Sequence, residues 1–322
     1  MSETDDNRFR ILCCVDGSDE SYRGIRYAAR IGKGNDADIT LLFVRPVDQG
    51  LRTGGMQISV ARANMLEWGL ELPGIKRLKK GRDLLIELGV MGEDWQEEFD
   101  HSDIAGDPLG DNMIVYSTES GKTIILKLMV APSVVSGILD ECDLQRYDVV
   151  ITGASEKWRS WSVPGFLEDS VAETVAARAP CSVIVARELE ENHGHLICVD
   201  DSEKALATAR RDATIASRCK CPISLLSVAP SEDKREWAKN NIDRASQALA
   251  SLGIKVESAT VEVGDPVTKI CEAGLNYSLV VVSASEKRGF RRFLAQRVAY
   301  GVMEKADCSV MIARDLPRVN RA

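Results

Sequence analysis

Arg10-Ile-Leu-Cys-Cys-Val-Asp-Gly-Ser18 decides the fold of this chain, because nearly the same stretch returns as His195-Leu-Ile-Cys-Val-Asp-Asp-Ser202. Each copy is a short apolar run that ends in an aspartate and, two residues later, a serine. A run of this kind predicts a buried strand followed by the start of a helix. The recurrence therefore indicates that the chain contains the same structural unit twice.

Two further matches follow the first in the same order. Ala154-Ser-Glu-Lys157 recurs as Ala284-Ser-Glu-Lys287, and residues 166–187 align without gaps to 293–314, with 11 of 22 positions identical. Three ordered matches indicate a tandem duplication, with a joint in the acidic, polar segment 188–193. We expect a first domain at 1–190 and a second at 191–322.

Length and composition agree with this division. The 322 residues suit about two domains. With 41 Lys+Arg against 49 Asp+Glu, the net charge of −8 makes nucleic acid an unlikely partner. No run approaches the roughly 18 apolar residues of a membrane span, and the acidic start does not resemble a signal peptide. We therefore expect a cytoplasmic protein that does not enter a membrane.

Apolar runs alternate with helical patterns in both copies, which is typical of βαβ units and a parallel sheet. The predicted strands are 11–15, 39–44, 123–130, 149–153 and 182–186 in the first copy. Those of the second are 196–199, 223–228, 256–263, 279–283 and 309–313. Leu206, Ala209, Ala213 and Ala216 recur at helical spacing between two of these strands.

The first copy carries about thirty extra residues, at roughly 91–122. The acidic part, 93–100, is typical of a loop, whereas 112–126 holds two β-rich runs around Glu119-Ser-Gly121, a hairpin signal. Two interpretations remain open: an elaborated edge of the sheet, or a lid or partner surface.

Cysteines and histidines give no sign of metal or hydrolytic chemistry. None of the nine cysteines stands in a Cys-x-x-Cys spacing, and most lie in strand-like runs, where we expect small core residues. We expect His101, His193 and His195 to be exposed or in the linker, with no catalytic residue and no metal site.

Ligands of doubly wound sheets bind beyond the carboxyl ends of the strands. The first strands end at Asp16 and Asp200, each of which either contacts a ligand or caps the next helix. The fourth strands end at Gly153 and Ser283, and we expect helices to begin near Ser170-Val171 and Arg297-Val298.

In these features both copies resemble the universal stress protein family, part of the wider HUP class of nucleotide-binding α/β domains. The resemblance rests on the Val-Asp-x-Ser turn, on the Ser-Val-Ala-Glu helix start and on the closing Cys-Ser-Val-Ile-Val-Ala-Arg strand. It implies two doubly wound five-stranded parallel sheets of order 3-2-1-4-5, with helices on both faces. It also implies dimerisation through the last strand, so that the closing strands Ser182–Ala186 and Ser309–Ala313 would pair within one chain as a pseudo-dimer.

One branch of that family binds ATP through Gly-x-x-Gly, nine residues and Gly-Ser/Thr. The glycines let backbone approach the phosphates, and a helix N-terminus receives their charge. At the four motif positions the second copy has Ser283, Glu286, Gln296 and Arg297. All three of its glycines are therefore replaced.

The first copy keeps Gly153 and Ser170 but has Glu156 and Asp169 at the other glycine positions, and its loop is three residues longer. Like charges about 4 Å apart cost on the order of 4 kcal/mol at an effective dielectric near 20. ATP binding in the usual manner of the family is thus disfavoured in both copies.

The loops at 157–161 and 287–293 are basic and aromatic. They form either an alternative anion or nucleic-acid surface, or solvated loops that pair with Glu156 and Glu286.

We therefore expect a non-catalytic stress-response protein without a cofactor, which acts by protein interaction and whose nucleotide sites are degenerate. The self-contact expected is the pseudo-dimer, with a homodimer as a further option. The alternative is an ATP- or AMP-binding protein with Mg²⁺, its site in the first domain, and slow ATPase activity. The candidate nucleotide-site residues are Asp16, Val44, Gly153, Ser170, Val171, Asp200, Val228 and Ser283.

Overall fold

Runs of Ile, Leu, Val and Cys form the central strands of each half of the chain. The computed structural model describes residues 8–47, 73–104, 107–154, 170–187, 193–283 and 290–314. Contacts divide the chain into two units, Met1–Arg178 (unit 1) and Ala179–Ala322 (unit 2). The predicted joint lies mostly outside the described residues, so the domain limits 1–190 and 191–322 stay a prediction.

Unit 1 is built on a mainly parallel sheet. Its strands are β1 (Arg10–Cys14), β2 (Asp38–Pro46), β3 (Gln96–Ile104), β4 (Asp107–Ser117), β5 (Thr123–Ala131) and β6 (Val149–Gly153). Its described helices are α1 (Asp19–Asn35), α2 (Pro73–Glu87), α3 (Val134–Leu144) and α4 (Val171–Arg178). The strand order is β6-β1-β2-β5-β4-β3. The pairs β6/β1, β1/β2 and β2/β5 are parallel, which is the predicted 3-2-1-4 core.

Unit 2 contains the complete predicted sheet. Its strands are β7 (Ser182–Ala186), β8 (His195–Cys198), β9 (Ile223–Ala229), β10 (Ser258–Val263), β11 (Leu279–Ser283) and β12 (Ser309–Ala313). Its helices are α5 (Glu203–Arg218), α6 (Arg235–Ala250), α7 (Pro266–Gly274) and α8 (Phe290–Lys305), with a 3-10 turn at Glu232–Lys234. The order β10-β9-β8-β11-β12 matches 3-2-1-4-5, and these five strands are parallel.

Small residues let the helices lie close to the sheet. Ala209, Ala213 and Ala216 of α5 are all fully buried, as their spacing predicted. Serines begin the first helix of each copy: Ser18 Oγ accepts from Ser21 N–H at 3.2 Å and Ser202 Oγ accepts from Ala205 N–H at 3.0 Å. These caps satisfy amides that a helix start would otherwise leave unpaired. In both copies the helix consequently begins five residues after the last residue of its strand.

The insertion extends the sheet of unit 1. β4 pairs antiparallel with β5 across a turn at residues 118–122, where Gly121 has a φ of +78°. The predicted hairpin is thus confirmed, and the insertion elaborates the edge of the sheet; a role as a partner surface stays open. The expectation of a loop at 93–100 holds for 93–95 but was wrong for 96–100, because Gln96–Ile104 forms β3, antiparallel to β4. Backbone pairing to β4 makes this polar segment a strand although it lacks the apolar alternation of one.

Candidate functional site

The turn after β1 places Asp16 at the carboxyl end of the sheet in unit 1. Asp16 Oδ1 accepts from the N–H of Ser18 at 2.8 Å and from its hydroxyl at 2.5 Å. Gly17 between them has a φ of +85°, a conformation that favours glycine. Asp16 therefore holds the capping serine in place and does not itself cap α1.

The second carboxylate oxygen of Asp16 is different. Oδ2 is buried and has no hydrogen-bond partner in the described part of the chain. A buried carboxylate oxygen without a donor costs free energy, so its site is suited to a ligand hydroxyl, amide or water. In unit 2, Asp200 Oδ1 likewise accepts from Ser202 N–H at 2.8 Å.

Helix α2 adds a cation that the sequence did not single out. A Cβ placed on Gly17 would lie 2.7 Å from Arg77 Cδ, so this arginine lies directly against the β1 turn. Its guanidinium carbon is 5.2 Å from the centre of the Phe43 ring. Arg77 belongs to the basic run 76–80, and no feature of residue type distinguishes it from its neighbours. Its position follows only from packing.

The candidate residues Val44 and Val228 lie near the ends of β2 and β9. Val44 is buried, and a Cβ on Gly137 of α3 would lie 2.6 Å from Val44 Cγ1. Val44 thus packs against α3. Val228 is half-buried.

Gly153 has a packing reason that involves no ligand. A Cβ there would lie 2.8 Å from the backbone nitrogen of Ser21 and 2.9 Å from the carbonyl carbon of Glu20. The missing side chain therefore makes room for the first turn of α1. At the equivalent position in unit 2, Ser283 is half-buried at the end of β11.

Two backbone N–H groups at the N-terminus of α4 are satisfied by side chains of the same segment. Ser170 Oγ accepts from Glu173 N–H at 3.2 Å, and Ser170 N–H donates to Glu173 Oε2 at 3.0 Å. This is a reciprocal capping box, with Val171 as the first helical residue. The predicted helix start is confirmed.

The corresponding helix of unit 2 begins earlier than predicted. α8 starts at Phe290, not near Arg297-Val298, because residues 290–296 contain no glycine or proline and continue the helix. Gln296 and Arg297, at the motif positions, lie in its second turn. Their backbone N–H groups face preceding carbonyls of the helix and are not free to receive a phosphate.

Several predicted features lie outside the described residues. These are Glu156, Asp169, Glu286, the basic loop 157–161 and residues 287–289 of the other basic loop. Residues 290–293 of that second loop form the start of α8.

The expectation for His195 was wrong. This histidine begins β8, is buried, and its Nδ1 lies 3.2 Å from Oδ2 of the buried Asp212 on α5. Burial alone would lower the pKa of His195, but the charge and hydrogen bond of Asp212 outweigh it and raise the pKa to about 9. The pair is therefore an internal ion pair of unit 2.

Metal binding and membrane insertion find little support in the described residues. There, no group of three His, Cys, Asp or Glu side chains is placed to hold a metal ion. Nor does that part of the chain contain a helix long and apolar enough to cross a membrane. Cys13, Cys14 and Cys181 are buried core residues, as expected, whereas Cys198 and Cys308 are only partly buried.

The closing strands of the two copies pair with each other. β7 and β12 are antiparallel, with Ile184 opposite Met311, and these two positions are equivalent in the repeat. The flanking pairs are Val183 with Ile312 and Val185 with Val310. The contact is therefore symmetrical, like the isologous interface of a dimer.

Matching serines and arginines secure both ends of this pairing. Arg187 N–H donates to Ser309 Oγ at 2.8 Å, and Arg314 N–H donates to Ser182 Oγ at 3.1 Å. Each guanidinium also donates to a carbonyl near the other closing strand, Arg187 to Cys308 at 3.2 Å and Arg314 to Ala179 at 2.6 Å. The two backbone-to-serine hydrogen bonds are equivalent in the repeat, whereas the guanidinium groups reach non-equivalent carbonyls.

Comparison with known proteins gives a consistent result. The family model described as universal stress protein family matches residues 7–68 and 195–314, more than half of the chain. A universal stress protein from Archaeoglobus fulgidus DSM 4304 has a similar structure, with 15% identity and a TM-score of 0.54, over 95% of this chain and 96% of that one.

A putative universal stress protein from Pseudomonas aeruginosa UCBPP-PA14 is 14% identical, with a TM-score of 0.57, over 95% of this chain and 93% of that one. At these identities the likeness concerns the fold. The chain matches no curated protein. The family match in both halves, on a fold of the expected strand order, means that this chain belongs to the universal stress protein family.

Proposed function

We propose that this universal stress protein is a non-catalytic, cytoplasmic stress-response protein that acts by protein interaction and needs no cofactor. In this proposal its nucleotide sites are degenerate, and neither binds ATP in the manner of the ATP-binding branch of the family. The net charge of −8 gives nucleic acid no general electrostatic attraction.

The loss of the motif glycines, at two of three positions in the first copy and all three in the second, is the observation that carries the proposal. A helix N-terminus binds phosphate through free amides and a partial positive charge. Here Glu173 places a negative charge at the start of α4, which opposes a phosphate there. In the amino-acid sequence, Glu156 and Asp169 stand at two glycine positions of the motif and add two further negative charges. The residues of unit 1 therefore do not fit a triphosphate.

Unit 2 fails to fit for a separate reason. Because α8 begins at Phe290, the amides at motif positions 296 and 297 take part in helix hydrogen bonds. No glycine remains at the other motif positions, which are Ser283 and Glu286. The site of the second copy thus lacks both the close backbone approach and the free amides.

Pairing of the closing strands supports the pseudo-dimer part of the proposal. β12 has β11 on one side and β7 on the other, so it offers no open edge to a second chain. We propose that this internal pairing replaces the dimer contact that family members make between chains. A homodimer or a partner protein would then use another surface.

A second candidate function rests on Asp16. Its buried, unpartnered Oδ2 and the nearby Arg77 suit the sugar or base end of a nucleotide, even though the phosphate end is closed. In this alternative, unit 1 binds AMP or ATP with Mg²⁺, with slow ATPase activity. AMP would then bind at least as tightly as ATP, because it brings fewer negative charges towards Glu173.

Two measurements on the purified full chain separate these candidates. Mass spectrometry of denatured protein identifies any nucleotide that co-purifies, and titration with ATP and AMP in the presence of Mg²⁺ gives their affinities. Absence of bound nucleotide and of binding at millimolar concentration supports the first candidate. Micromolar binding of either nucleotide overturns it and supports the second.

A further inference from the structure

β3 leaves one edge of the sheet in unit 1 without a partner strand. It is the last strand in the order β6-β1-β2-β5-β4-β3, and β4 pairs with it on one side. Eight of its nine residues are exposed, and Ile104 is half-buried. No strand among the described residues pairs with its outer edge. Such an edge presents a row of backbone donors and acceptors to which an extended segment can add.

The edge is strongly acidic. Residues 93–103 contain six carboxylates and no lysine or arginine. Neither Glu98 nor Asp100 has an ion-pair partner among the described residues, and both are exposed. If β3 of one molecule paired with β3 of another, carboxylates would lie against carboxylates, and like charges across strands are destabilising. The charge therefore disfavours a second copy of this chain and favours a basic partner.

Charge by itself could serve merely to prevent aggregation at an open edge. Phe99 argues against that simple role, since its side chain is 72% exposed in the middle of β3. An exposed phenylalanine at an edge promotes strand addition, which is the event that protective charges prevent. Its presence needs an explanation beyond protection.

The register separates the acidic and apolar contacts. Phe99 lies opposite the buried Ile114 of β4, so both side chains share one face of the sheet. Glu98 and Asp100 lie on the other face. A strand added beside β3 would also alternate between these faces. It would match best with apolar residues next to Phe99 and basic residues next to the two carboxylates.

The edge strand of unit 2, β10, does not share these properties. β10 is also the last strand of its sheet, but it has only six residues. None of the exposed large apolar side chains lies on it. β10 is consequently a natural internal control for β3.

We propose that the outer edge of β3 is a docking site for an extended segment of a partner protein in which basic and apolar residues alternate, bound by strand addition. This proposal rests on the proposed function, since it names the surface through which a protein interaction would occur. Phe99 supplies the apolar contact, and Glu98 and Asp100 supply the charge contact.

The test uses the full chain and three fluorescent peptides of the same nine-residue length as β3. One alternates Lys and Val, one alternates Lys and Pro, and one alternates Glu and Val. Lys-Pro has the charge of Lys-Val but cannot donate strand hydrogen bonds from its prolines. Fluorescence anisotropy should show that Lys-Val binds at least about tenfold more tightly than the other two.

Variants locate the site. Phe99→Ala should weaken Lys-Val binding about fivefold, and Glu98→Lys with Asp100→Lys about tenfold or more. The matched pair Glu257→Lys with Glu262→Lys, beside and within β10, should leave binding unchanged. All these side chains are exposed or half-buried, so the variants should keep the unfolding temperature of the wild type.

Hydrogen exchange adds a direct structural readout, because bound Lys-Val should slow exchange of β3 amides. The proposal is overturned if Lys-Pro binds as tightly as Lys-Val, if the β3 variants bind normally, or if β3 amides gain no protection. Nucleotide affinity is measured separately. ATP binding therefore contradicts the degenerate sites alone, and absence of peptide binding contradicts the docking edge alone.

Discussion

Ser170 and Glu173 form two reciprocal hydrogen bonds at the start of α4. The hydroxyl of Ser170 accepts from the backbone N–H of Glu173, and the carboxylate of Glu173 accepts from the backbone N–H of Ser170. The serine is the residue that the ATP-binding motif requires, but its partner is the acid of its own helix. A motif residue that is retained for capping does not by itself indicate nucleotide binding.

Removing the carboxylates of the first copy should restore some affinity for ATP. In Glu156→Gly, Asp169→Gly, Glu173→Gln the charges disappear, and glutamine can still accept from Ser170 N–H. We expect ATP affinity to rise at least about tenfold over wild type, because each nearby like charge opposes the phosphates. Calorimetric titration with Mg²⁺ measures it.

A control variant loses the same number of charges at exposed positions, through Glu93→Gln, Asp94→Asn and Glu98→Gln. It should bind ATP no better than wild type. Equal affinity of the two variants would mean that the three carboxylates are not what excludes ATP.

Gly153→Ala should destabilise unit 1. The new methyl group would lie 2.8 Å from Ser21 N and 2.9 Å from the carbonyl carbon of Glu20, both of them backbone atoms that cannot rotate away. Overpacking of this kind costs about 1–3 kcal/mol. Denaturant unfolding measures the change, and Ser283→Ala at the equivalent position should stay within about 0.5 kcal/mol. A neutral Gly153→Ala would show that α1 does not require this glycine.

The buried pair His195–Asp212 should make the stability of unit 2 depend on pH. The folded pKa of His195, about 9, is above the unfolded value of 6.5. The pair's contribution is therefore complete below about pH 6.5 and is lost as the pH rises through 9. We expect the free energy of unfolding to fall by on the order of 2–3 kcal/mol across that window.

Asp212→Asn should remove this fall and lower stability at pH 6.5. Asp103→Asn is the matched control, because Asp103 lies at the same 3.2 Å from the ring of His101, but on the exposed β3. It should not alter the pH profile. A wild-type profile that stays flat from pH 6.5 to 9 would contradict the assignment of a charged His195.

The pairing between β7 and β12 should weaken when the serines at its ends, Ser182 and Ser309, are replaced. Ser182→Ala removes the hydroxyl that accepts from Arg314 N–H, and Ser309→Ala removes the hydroxyl that accepts from Arg187 N–H. Each should cost about 1 kcal/mol, because a partly buried donor loses its acceptor. The repeat symmetry predicts similar losses for both variants in denaturant unfolding. Ser102→Ala, at an exposed serine of β3, should be neutral. A large loss from only one of the two variants would contradict the symmetrical contact.

Apolar runs made the core strands predictable, and cap residues made the start of α4 predictable. Two segments escaped prediction, for different reasons. β3 has no apolar alternation and is a strand because β4 supplies its hydrogen bonds. α8 extends back to Phe290 because no residue from 290 to 296 breaks a helix.

Some residues of the candidate site could be predicted from the sequence, and others could not. Asp16, Gly153 and Ser170 were found from residue type and position, but their contacts give Gly153 and Ser170 structural roles. Arg77 could not be found, because it is one of several cations on α2 and only packing brings it to Gly17. His195 was misplaced because the linker next to it suggested exposure.

Calorimetric titration of the full wild-type chain with ATP and AMP, in the presence of Mg²⁺, tests the central claim most directly. The account predicts no heat of binding up to millimolar nucleotide, since the first copy has Glu156 and Asp169 at motif glycine positions and α8 offers no free amides at the motif positions in unit 2. Saturable binding of ATP at micromolar concentration would contradict it.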